Sequence, residues 1–337
     1  MALFGNSKIR VAINGFGRIG RMALRAGLLT RKIEFIAIND LTDTKTLAHL
    51  LKYDSVHGIW PYDVKSTSNS IITAGKEIKC FAEKSPASLP WKDLEIDLVI
   101  ESTGQFTKKA DASHHLSAGA KKALISAPSD DADIMVVLGV NDKELRKEHK
   151  IISMASCTTN CLAPIAMVLD QNFSIKAAMM NTIHSYTNDQ RILDLPHKDL
   201  RRTRAAALNI IPTTTGATKA AAAVWPSLKE KIDGISIRVP TPNVSLTDFV
   251  CLTEKSTSKE EINSSIRKAS ESGLKGIVQY SEEPLVSSDI IGNPYSAVFD
   301  SLSTQVVKGN LIRTLSWYDN EWGYSSRLIE LIQRIQF

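Results

Sequence analysis

With 337 residues, 43% of them hydrophobic and 23% charged, the chain is long enough to bury a large core and to form two domains. A formal charge of +5 on a protein of this size argues for local anion sites and against a nucleic-acid-binding surface. Four cysteines and no secretory pattern in residues 1–8 point to a reducing compartment, and no apolar run approaches the roughly 18 residues of a membrane span.

Residues 8–14 read as a buried strand that runs into Gly15-Phe16-Gly17-Arg18-Ile19-Gly20, followed by a helical pattern through Leu24, Leu28 and Leu29. In a strand–turn–helix of this kind, Gly15 permits the tight turn and Gly17 lets backbone approach a pyrophosphate. Gly20 lets helix and strand pack closely, with the phosphates over the helix N-terminus. A second strand, 33–39, ends in Asp40, about 20 residues beyond the motif. A carboxylate there accepts hydrogen bonds from both ribose hydroxyls and repels a 2′-phosphate, which favours NAD over NADP. Apolar runs at 96–100, 122–126 and 134–137 alternate with helical or loop segments, as in a doubly wound parallel sheet, a Rossmann fold. His114 and His115 fall between them and read as solvent-exposed helix surface, with no metal site expected there.

Residues 151–155 read as another strand, and the pattern Leu162, Ile165, Ala166, Val168 and Leu169 as the helix after it. Cys157 therefore stands at a helix N-terminus, where unpaired N–H groups and the positive end of the dipole are expected to lower the thiol pKa. Pro164 predicts a kink or a late helix start. Cys161 is expected to be buried one turn beyond Cys157. Downstream, His184 in Asn181-Thr182-Ile183-His184-Ser185-Tyr186-Thr187 supplies a candidate base.

The second half is richer in strands, at 177–184, 234–239, 246–254, 296–300 and 311–318. Helices are expected at 203–210, 218–224 and 259–270, which together predict an α+β domain with a mainly antiparallel sheet. Residues 322–335 are apolar on one helical face and are expected to pack back onto the first domain. His57 and His197 read as structural, and Arg201, Arg202 and Arg204 as a salt-bridging or anion-binding cluster.

Seven motifs in order resemble the phosphorylating glyceraldehyde-3-phosphate dehydrogenases over essentially the whole chain. They are residues 13–21; Lys52-Tyr53-Asp54-Ser55 with His57-Gly58; Ala155-Ser156-Cys157-Thr158-Thr159-Asn160-Cys161; His184-Ser185-Tyr186-Thr187; Asp199-Leu200-Arg201-Arg202; Arg238-Val239-Pro240-Thr241-Pro242-Asn243; and residues 317–323. The resemblance implies an NAD-binding Rossmann domain over 1–156, completed by a C-terminal helix at 321–337, and a catalytic domain over 157–320. It implies NAD-dependent oxidation and phosphorylation of glyceraldehyde 3-phosphate in glycolysis and gluconeogenesis. Cys157 would form first a thiohemiacetal and then a thioester, with His184 moving the proton.

By the same pattern, Thr187 and Arg238 match residues on the substrate phosphate, and Ser156, Thr158, Thr215 and Gly216 match those on inorganic phosphate, with Arg202 a further anion contact. Arg18 and Ile19 match positions whose backbone meets the pyrophosphate. Asp40 matches the ribose contact and Asn320 the nicotinamide carboxamide contact, while Lys84 and Ser126 match other dinucleotide contacts. Many relatives carry arginine where this chain has Lys84. Leu195-Pro196 resembles the NAD-preferring loop. A cytoplasmic homotetramer is implied, with no nucleic-acid or membrane partner. Erythrose-4-phosphate dehydrogenase, an aspartate-semialdehyde-type dehydrogenase and an additional binding role remain the alternatives.

Overall fold

The computed structural model describes residues 8–337. The chain divides into two compact units. The first holds the described residues up to Val136 together with Lys143–Ala155 and Leu328–Phe337, and the second holds Val137–Asp142 and Ser156–Arg327.

The sheet of the first unit has nine strands among the described residues. From edge to edge they are Val64–Ser66, Ser70–Thr73, Lys76–Phe81, Ile33–Asn39, Ile9–Asn14, Leu98–Glu101, Lys122–Ile125, Ile151–Ser153 and Ile134–Met135. From Lys76–Phe81 onward every neighbouring pair is parallel. The central strands are buried on both faces, which explains why they read as near-continuous apolar runs. Strand order reverses at Ile9–Asn14, whose neighbours are Ile33–Asn39 on one side and Leu98–Glu101 on the other. In doubly wound sheets this switch point opens the crevice where ligands bind. An antiparallel meander at 64–81, absent from the sequence reading, extends one edge.

The turn after the first strand obeys the glycine logic. Gly15 has φ +89°, and a Cβ on it would lie 2.7 Å from the Thr103 nitrogen; a Cβ on Gly20 would lie 2.3 Å from the Gly15 oxygen. The helix Arg18–Gly27 starts at Gly17, which has no side chain to cap it. At its far end a Cβ on Gly27 would meet Ile329 Cδ1 at 2.7 Å, so residues near the C-terminus complete the core of this unit.

The sheet of the second unit runs Ile211–Thr214, Ile232–Val239, Ile175–Ser185, Ser245–Thr253, Leu311–Tyr318, Ala297–Val307 and Val278–Ser281. Four of its pairings are antiparallel and two parallel. Ser245–Thr253 alternates buried and more exposed residues, the period of two that a half-buried strand requires. The helix Lys259–Glu271 opens with a capping box, in which Ser258 Oγ accepts from Glu261 N and Glu261 Oε2 accepts from Ser258 N at 2.9 Å.

One sequence expectation fails here, and one half of another. Residues 203–210 form turns and not a helix. Asp194 Oδ1 takes the Ala205 N–H at 3.0 Å, and its other oxygen pairs with Arg204 Nε at 2.8 Å, so side-chain acceptors take the place of a helical ladder. Pro164 does not delay the helix, which runs from Cys157 to Phe173 with the proline inside it. The cap at Ser156 sets the start instead.

Candidate active site

Ile151–Ser153 ends at Met154, and Ala155 adopts φ +55°, a left-handed conformation in a non-glycine residue. That strained turn swings the chain into the helix Cys157–Phe173. Ser156 caps the helix, its Oγ accepting from Thr159 N at 3.0 Å and lying 2.7 Å from Thr159 Oγ1. Cys157 is thereby placed on the first turn, half-buried, with Cys161 fully buried one turn on. Burial pushes the Cys161 thiol up to about 12, as it does Cys251, and Cys80 up to about 11.

The strand Ile175–Ser185 delivers His184 to the same place, with Nε2 3.6 Å from Cys157 Sγ. His184 Nδ1 lies 2.7 Å from the Ser185 oxygen and 3.1 Å from an Arg238 amino group. A guanidinium only donates and a carbonyl only accepts, so Nδ1 can bond to just one of them; with Nδ1–H on the closer carbonyl, Arg238 donates to that same oxygen at 3.2 Å and not to the ring. The lone pair of Nε2 then faces the thiol. His184 is buried, and burial, reinforced by the Arg238 charge, lowers its pKa to about 3. A neutral imidazole is thus available as a proton acceptor across the physiological range.

The expected fall in the Cys157 pKa is not what the structure shows. Burial pushes this thiol up, outweighing the Arg238 charge, the Thr158 hydroxyl and the backbone N–H groups of the first turn, all of which act downward. The helix terminus acts as anticipated, but it is not the largest influence. Burial thus favours the neutral thiol here as it favours the neutral imidazole.

The parallel neighbour Ile232–Val239 aligns Arg238 with His184 in register, and the guanidinium reaches Thr187 Oγ1 at 3.4 Å. Cys157, His184, Arg238 and Thr187 therefore form one continuous constellation. Arg202 lies against the next strand, donating through Nε to Thr213 Oγ1 at 2.9 Å and through Nη2 to the Thr214 oxygen at 3.3 Å, and it pairs with Asp189. Thr215 Oγ1 accepts from Ala217 N at 3.2 Å where Gly216 opens the helix Ala217–Val224. Thr158 is turned inward, 2.8 Å from the Tyr318 hydroxyl. Asn320 Oδ1 accepts from Ser185 Oγ and Ser245 Oγ at 3.0 and 2.9 Å, which fixes its amide plane and aims Nδ2 the other way.

Two residues of this site were given no role by the sequence reading. Tyr318 bridges Thr158 and Thr182 and lies edge-on to His184, with its phenol kept neutral by burial. Gln190 Oε1 accepts from Thr187 N at 3.3 Å. Tyr318 could have been found from its place in the 317–323 motif; Gln190 carries no such signal.

In the first unit, a cavity of about 430 Å³ is lined by Gly15, Gly17, Asp40, Lys84, Ser102 and Thr103, among others. Asp40 Oδ2 accepts from Phe16 N at 2.8 Å, and Oδ1 accepts from Thr42 N at 3.0 Å, so the carboxylate is held rigidly at the strand end. A Cβ on Gly17 would meet nothing within 4 Å, which leaves the backbone open to a ligand. The Arg18 side chain is tied to Asp54. Ser126 donates its N–H to the Glu101 oxygen and does not line the cavity. His115, expected on the surface, is buried beneath this region, while His114 is exposed. The helix Lys109–Ser117 turns His115 inward to a carboxylate, a partner that periodicity alone does not reveal.

Residues 9–109 match the model for the glyceraldehyde 3-phosphate dehydrogenase NAD binding domain, and residues 156–320 the model for its C-terminal domain. The chain belongs to the glyceraldehyde-3-phosphate dehydrogenase family. It is 58% identical to glyceraldehyde-3-phosphate dehydrogenase 1 of Bacillus cereus, covering 96% of this chain and 97% of that one. It is 59% identical to the glyceraldehyde-3-phosphate dehydrogenase of Thermotoga maritima and 57% to that of Geobacillus stearothermophilus, each over 96% of this chain and 98% and 97% of theirs. Membership in the glyceraldehyde-3-phosphate dehydrogenase family makes the chain an oxidoreductase with NAD as its cofactor, and the glycine turn and Asp40 cavity fit that cofactor.

Proposed function

We propose that the protein oxidises and phosphorylates glyceraldehyde 3-phosphate to 1,3-bisphosphoglycerate, using NAD and inorganic phosphate, as a step of glycolysis and gluconeogenesis. The observation that carries this reading is the contact of Cys157 with the lone pair of His184, flanked by Arg238 and Thr187. Cys157 Sγ attacks the aldehyde carbon as His184 Nε2 accepts the thiol proton and passes it to the former carbonyl oxygen, giving a thiohemiacetal and a neutral imidazole. His184 then takes the hydroxyl proton as the carbon loses hydride and becomes a thioester, and it returns that proton to the thiolate when phosphate displaces the sulfur. NAD, held by Asp40 and the glycine turn, supplies the hydride acceptor. Attack of inorganic phosphate on the thioester carbonyl releases the acyl phosphate and returns the thiol. Ser156 and Thr158 are bound to neighbours in the resting site and would turn toward phosphate with Thr215, Gly216 and Arg202, while Arg238 and Thr187 hold the substrate phosphate.

In this reading residues 1–156, with 321–337, bind NAD, and 157–320 carry out the chemistry, with Asn320 assigned to the nicotinamide amide. The exposed apolar side chains Ile192, Leu193, Leu195, Leu200, Leu208 and Ile210 support burial against further copies of the chain, in a cytoplasmic homotetramer. The test is the initial rate of NADH formation from glyceraldehyde 3-phosphate with and without inorganic phosphate, beside erythrose 4-phosphate and NADP. Phosphate-dependent turnover of the triose with NAD is expected. Faster turnover of the tetrose would refute the substrate assignment.

A further inference from the structure

Three strands of the first unit end in polar residues where apolar ones would pack more simply. Asn14, Asn39 and Glu101 are the last residues of their strands, and they are register partners, Asn14 with Asn39 on one side and with Glu101 on the other. All three are buried, as is His115.

Their hydrogen bonds form a directed chain. Trp91 Nε1 donates to His115 Nδ1 at 3.1 Å, and an indole N–H can only donate, so Nδ1 is the acceptor and Nε2 carries the hydrogen. His115 Nε2 then donates to Glu101 Oε2 at 2.9 Å, beside Asn14 Nδ2, which donates to the same oxygen at 2.6 Å. Glu101 Oε1 accepts from Thr103 N at 2.9 Å and from the Thr103 hydroxyl. All four acceptor positions of the carboxylate are filled. On the other side Asn39 Nδ2 donates to Asn14 Oδ1 at 2.7 Å and to the Glu83 oxygen at 2.9 Å, while Asn39 Oδ1 accepts from Glu83 N at 2.8 Å.

The outer members of this chain, Asn14, Asn39, Glu83 and Thr103, line the cavity themselves, and the first three lead directly into Gly15, Asp40 and Lys84, which line it too. Trp91, Glu101 and His115 do not line it. We propose that Trp91, His115 and Glu101 are positioning residues for NAD, setting the spacing of the Gly15 turn, Asp40, Lys84 and Thr103 through a fully satisfied buried relay. An apolar core could support these strands, but it would not fix the orientation of the peptide groups that leave them. The proposal rests on NAD occupying the Asp40 cavity.

The test compares His115→Leu, His115→Gln and Trp91→Phe in the full-length protein. NAD affinity is measured by titration calorimetry, kcat at saturating NAD by NADH formation, and folding by thermal denaturation. His115→Leu deletes the donor to Glu101 and is expected to weaken NAD binding by about tenfold or more, the scale on which an outer supporting partner acts in metal sites. With NAD saturating, kcat should stay within about twofold, because the relay touches no reacting atom. Gln places an N–H near the position of Nε2, so His115→Gln should recover affinity to within about threefold of the parent. Trp91→Phe keeps an aromatic ring and removes only the donor to Nδ1; an intermediate loss of affinity is expected. Should His115→Leu fail to fold, Trp91→Phe and His115→Gln decide the matter. Unchanged NAD affinity in Trp91→Phe, or in a folded His115→Leu of lowered thermal midpoint, would reduce the relay to a stabilising role and overturn the proposal. If Asp40→Ala left NAD affinity unchanged while the relay variants altered it, the placement of NAD would be the part that fails.

Discussion

Replacing His184 with glutamine tests the base and its electrostatics together. The imidazole lies 3.6 Å from Cys157 Sγ with its lone pair toward the sulfur, and an amide at this position cannot accept the thiol proton. General-base catalysis contributes about 10²–10⁴ in rate, so kcat should fall by that factor, about 3–5 kcal/mol of barrier. NAD affinity should hold. The same substitution has a signature in acid. Because the folded pKa of about 3 lies below the ordinary 6.5, the unfolded chain takes up the proton first, and the neutral ring's contribution to stability is lost as pH falls from 6.5 toward 3. The limit is roughly 4–5 kcal/mol at 1.36 kcal/mol per pK unit. His184→Gln lacks this titration, so its stability deficit relative to the parent should shrink steadily between pH 6.5 and pH 4. Stopped-flow NADH formation at pH 7 reads the first effect, and urea unfolding at a series of pH values reads the second. A kcat within about threefold of the parent would refute the base assignment. A deficit independent of pH would refute the buried neutral imidazole.

Asp40→Ala removes a carboxylate that accepts from Phe16 N and Thr42 N, so kcat/KM with NAD should fall about tenfold while the ratio of NADP to NAD use rises by more than about tenfold; parallel kinetics with both cofactors check this, and an unchanged ratio would exclude the ribose role. Cys157→Ser should abolish oxidation of glyceraldehyde 3-phosphate, since an alcohol of ordinary pKa replaces the thiol beside His184; a variant retaining even a tenth of the activity would displace Cys157 as nucleophile. Among the four cysteines, Cys157 should react first with iodoacetamide at pH 8, because it alone has an imidazole acceptor, while burial holds the others at about 11 to about 12. Peptide mapping by mass spectrometry at partial modification gives the order, and Cys80 or Cys161 preceding Cys157 would contradict it.

The strand, glycine turn and helix at 9–27 were legible because Gly15 takes a left-handed φ and Gly20 packs against the Gly15 oxygen, requirements contained in the motif itself. The Cys157 helix was legible for the same reason: Ser156 caps it through the residue three ahead. The late start expected from Pro164 does not occur because the Ser156 cap sets the first turn. At 203–210 the alanines favour a helix, but the acceptor that claims Ala205 is Asp194, eleven residues upstream, which no periodicity displays. His115 failed similarly, since its partner Glu101 lies on a strand. The Cys157 pKa depends on burial by distant chain segments, which the sequence around the cysteine does not contain.

The division of the chain also bears on how it is made. Leu328, Ile329, Leu331 and Ile332 belong to the core of the unit that contains the glycine turn, although some three hundred residues separate them from it in order of synthesis. The second unit closes only at Arg327, just ahead of these residues, whereas the first has most of its strands made by Ala155 and must wait for the end of the chain with part of its apolar surface uncovered. The half that is synthesised first is therefore the last to close its core.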